Sequence, residues 1–323
     1  MTNSQAVIRF RRLGLLTIFA VYFLILVGGI VRASGAGMGC PDWPTCFGQW
    51  IPPTEESQLP PNYQEIYAER GYQNTQFNLV KTWTEYTNRL VGVTIGFLIF
   101  LTAWSSRVFL KIDKSIFYLS VLVFFLVGFQ GWLGSAVVAS NLMPFMITLH
   151  MMLALLIVAL LIYVIARSQK NSLTQINCQA LPKQVQLLIK IAMGLTLTQV
   201  IMGTQVREAV DFIANEHKYI DREFWRDSFP IIFYVHRSFS ALILFTNLWL
   251  FWKVYQSLDK NHLIFRCCKL LAIAIGFEIV VGITLDRLGV PPISQPIHLL
   301  VANLIFGLQF FIYICLKYAC EKA

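Results

Sequence analysis

The sequence predicts an all-α membrane protein, with eight transmembrane helices arranged as two pseudo-symmetric four-helix bundles. Three observations predict it. The 323 residues are 56% hydrophobic and only 13% charged, where a soluble domain carries about 25% charged residues. Eight apolar stretches are each long enough to cross a bilayer about 30 Å thick, which takes about 20 residues. The second half of the chain also repeats polar landmarks of the first at one offset. This composition excludes a disordered chain, a nucleic-acid-binding arm and a disulfide-rich mini-protein. Seven Cys are too few and too scattered for a disulfide framework.

The spans are expected near 13–31, 90–110, 116–139, 145–166, 185–204, 231–252, 268–285 and 297–317. Span one follows Arg9, Arg11 and Arg12. It has the look of a secretory signal core, but it is too long, has no A-x-A-type cleavage site and is followed by more spans, so a retained helix is expected. Long segments, about 32–89 and 205–230, follow spans one and five. The links after spans three and seven are only a few residues long. Function is expected in the long loops and the helix ends beside them.

The charges sort by side. With the N-terminus cytoplasmic, the inner segments hold 16 basic residues and three acids (Asp113, Asp259, Glu321), a surplus of 13. The outer segments hold 10 basic residues and 13 acids, and Glu278 lies within span seven. The net charge of +9 is therefore a topology signal, with both termini inside, and not a footprint for nucleic acid.

The repeat has an offset of 148. Tyr86 and Arg89 match Tyr234 and Arg237, Gly134 matches Gly282, Pro144 matches Pro292, His150 matches His298, and Ala154 matches Ala302. Span one ends in Gly29-Ile30-Val31-Arg32 and span five in Gly203-Thr204-Gln205-Val206-Arg207, at a different offset because the first outer loop is longer. Four spans per half give a parallel repeat about an axis along the membrane normal. The expected domains are 1–170 and 171–323, each a four-helix bundle, and bundle cores hold cofactors between facing helices.

Of five histidines, His217 and His262 fall in loops and are expected to be solvated. His150, His236 and His298 sit near outer helix ends, where a polar residue at membrane depth signals function. The bland alternative is a histidine hydrogen-bonded between helices. His236 and His298, on two even-numbered spans at matching depth, read better as axial ligands of a haem. Zinc is the weaker reading, because no Cys, Asp or third His stands nearby at ligand spacing. The first half has His150, but Asn88 where the repeat has His236, and Glu85 where it has Phe233. Glu85, Asn88 and Arg89 share one helix face. The second half thus reads as a closed electron-transfer site and the first as a more open one with an added carboxylate. An interfacial Glu favoured by the helix dipole is the plainer reading of Glu85.

Arg32, Arg89, Arg207 and Arg237 recur at outer helix ends. They suit haem propionates, or snorkel to the interface. Glu278, paired in the repeat with Gln130, can relay protons, bond a ligand histidine or link helices. The first outer loop carries Cys40-Pro41-Asp42-Trp43-Pro44-Thr45-Cys46 on the oxidising side. A Cys40–Cys46 disulfide is allowed there, as a structural staple or as a redox-active pair. Cys178, Cys267, Cys268, Cys315 and Cys320 are expected on the reducing side.

With these residues in view, the chain closely resembles the haem A synthase family over nearly its whole length. The likeness is carried by residues 28–44 (GGIVRASGAGMGCPDWP), by residues 85–92 (EYTNRLVG) and by the histidines of spans four, six and eight. The resemblance implies oxidation of the C8 methyl of haem O to a formyl group by successive hydroxylations, making haem A for terminal oxidases. It implies that His236 and His298 hold a resident haem b, that His150 takes the substrate haem, and that Glu85 lies near the reacting methyl. Implied partners are haem O, haem O synthase, an electron donor not named by the sequence, and the lipid of a bacterial cytoplasmic membrane, with a homo-oligomer allowed. Two departures stand out. The family commonly has His where this chain has Asn88, and many members carry a second Cys pair between spans five and six that is lacking here. The rival reading is a non-catalytic bis-His cytochrome b that accepts electrons from quinol, which leaves Glu85 and the Cys loop without a role. A transporter lacks the broken helices it would need, and a prenyltransferase lacks clustered Asp.

Overall fold

A computed structural model describes residues 4–176, 180–216, 225 and 227–320. Ten α-helices occur among them: α1 (Ser4–Ala33), α2 (Tyr63–Ile66), α3 (Leu79–Ser105), α4 (Lys114–Ala139), α5 (Pro144–Arg167), α6 (Lys170–Leu173), α7 (Gln184–Glu216), α8 (Ile231–Ser257), α9 (Leu263–Arg287) and α10 (Ser294–Cys320). All but the four-residue α2 and α6 are long and apolar enough to cross a membrane, as the eight expected spans require. No strand occurs among the described residues. The protein is a multi-pass helical membrane protein.

The helices outrun the predicted spans. α3 begins at Leu79 and α7 runs on to Glu216. Apolar runs report only the hydrocarbon depth, whereas hydrogen-bonded turns continue into the polar interface. Glu85, Asn88 and Arg89 therefore lie two to three turns inside α3 and not at its start. Asn78 caps α3 by accepting from the Lys81 N–H, and Asp113 caps α4 by accepting from Ser115. His262 is not merely a solvated loop residue: its ring Nδ1 accepts from the Ile264 N–H and caps α9. His217 and Cys178 lie outside the described residues.

The chain forms two compact units, Met1–Ile157 and Val158–Ala323. In the first, α3 packs against α1 and α4, and a buried Thr17–Thr102 hydroxyl pair at 2.8 Å ties α1 to α3. In the second, α7 packs on α8 and α10, and α9 on α8 and α10. Its core centres on Val185, Ile189, Leu250, Ile264, Leu271 and Ile312. Gln309, fully buried, donates to Asn247 at 3.1 Å between α10 and α8. Offset by 148, those positions are Leu161 and Ile99, so this polar link belongs to the second unit alone.

Candidate functional site

The long segment before α3 is an ordered structure built on one aspartate. Asp42 accepts from the backbone N–H groups of Phe47 (2.6 Å) and Gly48 (2.9 Å) and from the Thr45 hydroxyl. Phe47 and Gly48 take the left-handed backbone conformation this turn needs. Cys40 and Cys46 form a disulfide with Cα atoms 4.9 Å apart. Phe47 then packs edge-on against Tyr63, Tyr67, Tyr72 and Phe77, with ring centroids 5.4–6.2 Å away. Burial, with the negative charges of Glu85 and Asp42, raises the Tyr72 phenol. It therefore stays protonated and donates to the Met38 carbonyl.

This loop is bolted onto α3. Glu85, only 4% exposed, accepts from the Cys40 N–H at 2.8 Å through Oε2 and pairs with Arg89 through Oε1. Arg89 also donates to the carbonyls of Asp42 (2.8 Å) and Thr45 (2.9 Å). Thr82 donates to the Gly39 carbonyl at 2.9 Å. A Cβ on Gly39 would stand 2.3 Å from the Lys81 carbonyl oxygen, so only glycine lets the loop lie this close. Two residues read from helical spacing alone are thus joined to the Cys loop.

Each membrane histidine packs on a glycine of a neighbouring helix. Cβ atoms on Gly134, Gly203 and Gly282 would stand 3.4, 3.3 and 3.6 Å from Cε1 of His150, His236 and His298. Gly28, which precedes Arg32 as Gly203 precedes Arg207, faces nothing within 4 Å, and its half has Asn88 in place of a histidine. Glutamines hold the same turns: Gln130 donates to the His150 carbonyl at 2.9 Å and Gln199 to the His236 carbonyl at 3.0 Å. Glu278 Oε1 lies 3.1 Å from His298 Nδ1.

The His236 and His298 rings meet edge-on, with centroids 6.4 Å apart and planes inclined at 74°. Two imidazoles this far apart could both reach one haem iron through metal–nitrogen bonds of about 2 Å. Buried polar atoms with no hydrogen-bond partner cluster at these places: His236 Nδ1 and Gln199 Oε1 in the second unit, His150 Nδ1 and Asn88 Oδ1 in the first. Such atoms are costly at membrane depth unless a ligand engages them. Among the described residues no group of three His, Cys, Asp or Glu is arranged to hold a bare metal ion. The donor set therefore fits a haem, whose porphyrin supplies the equatorial ligands, better than zinc.

A family model of cytochrome oxidase assembly proteins, COX15-CtaA, matches residues 11–310. The chain belongs to this family. A heme A synthase of Shewanella oneidensis is 29% identical over 154 residues, covering 48% of this chain and 44% of that one. The match to that relative thus spans less than half of its length. A heme A synthase of Pelagibacter ubique is 25% identical over 342 residues, covering 96% and 97%. One from Nitrosomonas eutropha is 24% identical over 327 residues, covering 92% and 90%.

The arginines are not equivalent. Arg237 pairs with Asp286 at 3.3 Å, and Arg207 pairs with Asp211 at 2.7 Å while donating to Gln295. Arg89 is committed to the Cys loop, and Arg32 closes α1. Sequence reasoning missed Gln199, and it named Gly203 as part of the span-five motif without its place beside His236. The Gly134–Gly282 match was the available signal that small residues accompany the histidines.

Proposed function

We propose that this chain is a haem A synthase, oxidising the C8 methyl of haem O to a formyl group by successive hydroxylations. Haem A synthesis is what the names of its relatives state of them. The observation that carries the reading here is the edge-on His236–His298 pair, with its 6.4 Å ring spacing. These two residues would hold a resident haem b, which supplies one-electron transfer when bound. In the first half His150 binds the substrate haem O, with Asn88 of α3 at the position that His236 holds in the second half. Glu85 is the carboxylate beside the reacting methyl, and Arg89 and the Cys40 N–H fix its two oxygens. The Cys40–Cys46 loop thereby positions Glu85 and keeps water from it. Arg32, Arg207 and Arg237 are proposed partners for propionates, the last two sharing them with their present acids. Domains 1–170 and 171–323 carry the substrate and cofactor roles. The termini face the cytoplasm, and haem O synthase and a separate electron donor are the expected partners.

Pigment extraction from protein purified out of cells that make haem O tests this reading. Haem A or a hydroxylated haem O should co-purify and should be lost in Glu85→Ala. Haem b alone, unchanged by that substitution, would instead make the chain an electron carrier.

A further inference from the structure

At the end of the second unit away from the histidines, α8, α9 and their connecting turn enclose an open cavity of about 600 Å³. Its rim carries Lys260, Arg266 and Lys269, all exposed. None of the three makes an ion pair with a described acidic residue. Asp259, the adjacent acid, has a carboxylate oxygen engaged by the Asn261 N–H at 2.8 Å. The first turn of α9, capped by His262, adds the positive end of the helix dipole to the same rim.

One wall is aromatic. Phe251, Tyr255 and Phe265 touch one another with centroids 5.8–6.3 Å apart. Leu270 and Ile273 line the cavity farther along α9, and both are more than half exposed. From Arg266 to Ile273 the helix rises about 10 Å, so polarity falls from cationic rim to apolar floor along the direction of a lipid molecule. At the repeat offset of 148, the three cations correspond to Ile112, Tyr118 and Val121. None of these three positions is cationic in the first half, although Lys111 and Lys114 lie beside them in its sequence.

We propose that this cavity binds an anionic phospholipid, its phosphates on Lys260, Arg266 and Lys269 and an acyl chain along Leu270 and Ile273. Three uncompensated cations around one cavity match a headgroup with two phosphates better than one. Arginine forks engage phosphate bidentately, and lysine adds point charge. Basic pockets between transmembrane helices recognise such headgroups. The inward-facing charge surplus of the sequence puts this end in the cytoplasmic leaflet.

The test uses the full chain purified in neutral detergent and native mass spectrometry against cardiolipin, phosphatidylglycerol, phosphatidylcholine and inorganic phosphate. Wild type should retain one cardiolipin per chain, hold phosphatidylglycerol less well, and retain no phosphatidylcholine. The triple variant Lys260→Gln, Arg266→Gln, Lys269→Gln should bind cardiolipin on the order of 100-fold more weakly, about fivefold per cation removed near the surface. Because all three side chains are exposed, its melting temperature without added lipid should match wild type. Lys253→Gln, which removes a cation that lies over Trp252 and outside the cavity, should leave binding unchanged. Equal cardiolipin retention by the triple variant overturns the proposal, as does equal binding of phosphatidylcholine. Displacement of cardiolipin by millimolar phosphate would also overturn it, assigning the rim to a soluble anion.

Discussion

Replacing Gly39 by alanine tests the docking of the Cys40–Cys46 loop on α3 more sharply than removing any polar side chain. The new Cβ would meet three backbone atoms: the Lys81 oxygen at 2.3 Å, the Lys81 carbon at 2.5 Å and the Thr82 nitrogen at 2.8 Å. None can move without unwinding the first turns of α3, so the loop must lift. Lifting breaks the Thr82–Gly39 hydrogen bond and strains the Cys40–Glu85 and Arg89 contacts. Overpacking costs about 1–3 kcal/mol, and each buried hydrogen bond left unmade about 1–3 kcal/mol. Gly39→Ala should therefore destabilise the protein by about 3 kcal/mol or more. Gly28→Ala, with nothing within 4 Å of its new Cβ, is the control and should gain up to about 1 kcal/mol in helix propensity. Melting in detergent and the rate at which a small thiol reduces Cys40–Cys46 read the two effects. If Gly39→Ala melts within about 0.5 kcal/mol of wild type and its disulfide is reduced no faster, the close approach is wrong.

His236→Ala or His298→Ala should abolish a low-spin b-type absorption spectrum, and an unchanged spectrum in both would remove the ligand assignment. Glu278→Gln keeps the shape beside His298 but removes the carboxyl group, and should weaken haem retention by about 10- to 100-fold, as for other partners of metal ligands; retention at wild-type level in a haem-competition assay would leave Glu278 a helix link only. Gly203→Ala puts a Cβ 3.3 Å from the His236 ring, and should shift the absorption maximum of bound haem without loss of fold, whereas Gly282→Ala, at 3.6 Å, should shift it less. Asp42→Ala leaves the Phe47 and Gly48 N–H groups unpaired, and should expose the loop to proteolysis at least tenfold faster while the eight spans stay protected.

The spans and the three membrane histidines were legible because hydrocarbon admits only long apolar helices and penalises isolated polar groups. The helix ends were not, since turns of α3 and α7 outside the apolar runs carry ordinary interfacial residues. Glu85 and Arg89 were legible as neighbours on one face, because i and i+4 always meet on a helix. That both reach a loop some 45 residues earlier was not, because sequence spacing carries no information about contacts between separate elements. Gln199, and the contact of Gly203 with His236, escaped notice for the same reason: their meaning depends on which side of α7 faces His236.

The bond from Glu85 to the Cys40 N–H also bears on how the protein is made. The loop precedes α3 in the chain and so leaves the ribosome first. Its aspartate knot and aromatic cluster are local, and can form before α3 has found its neighbours. When α3 then packs on the loop, the Cys40 N–H is ready to donate to Glu85, whose other partner, Arg89, travels on α3 itself. The loop thus gives a buried carboxylate of α3 a donor that hydrocarbon lacks.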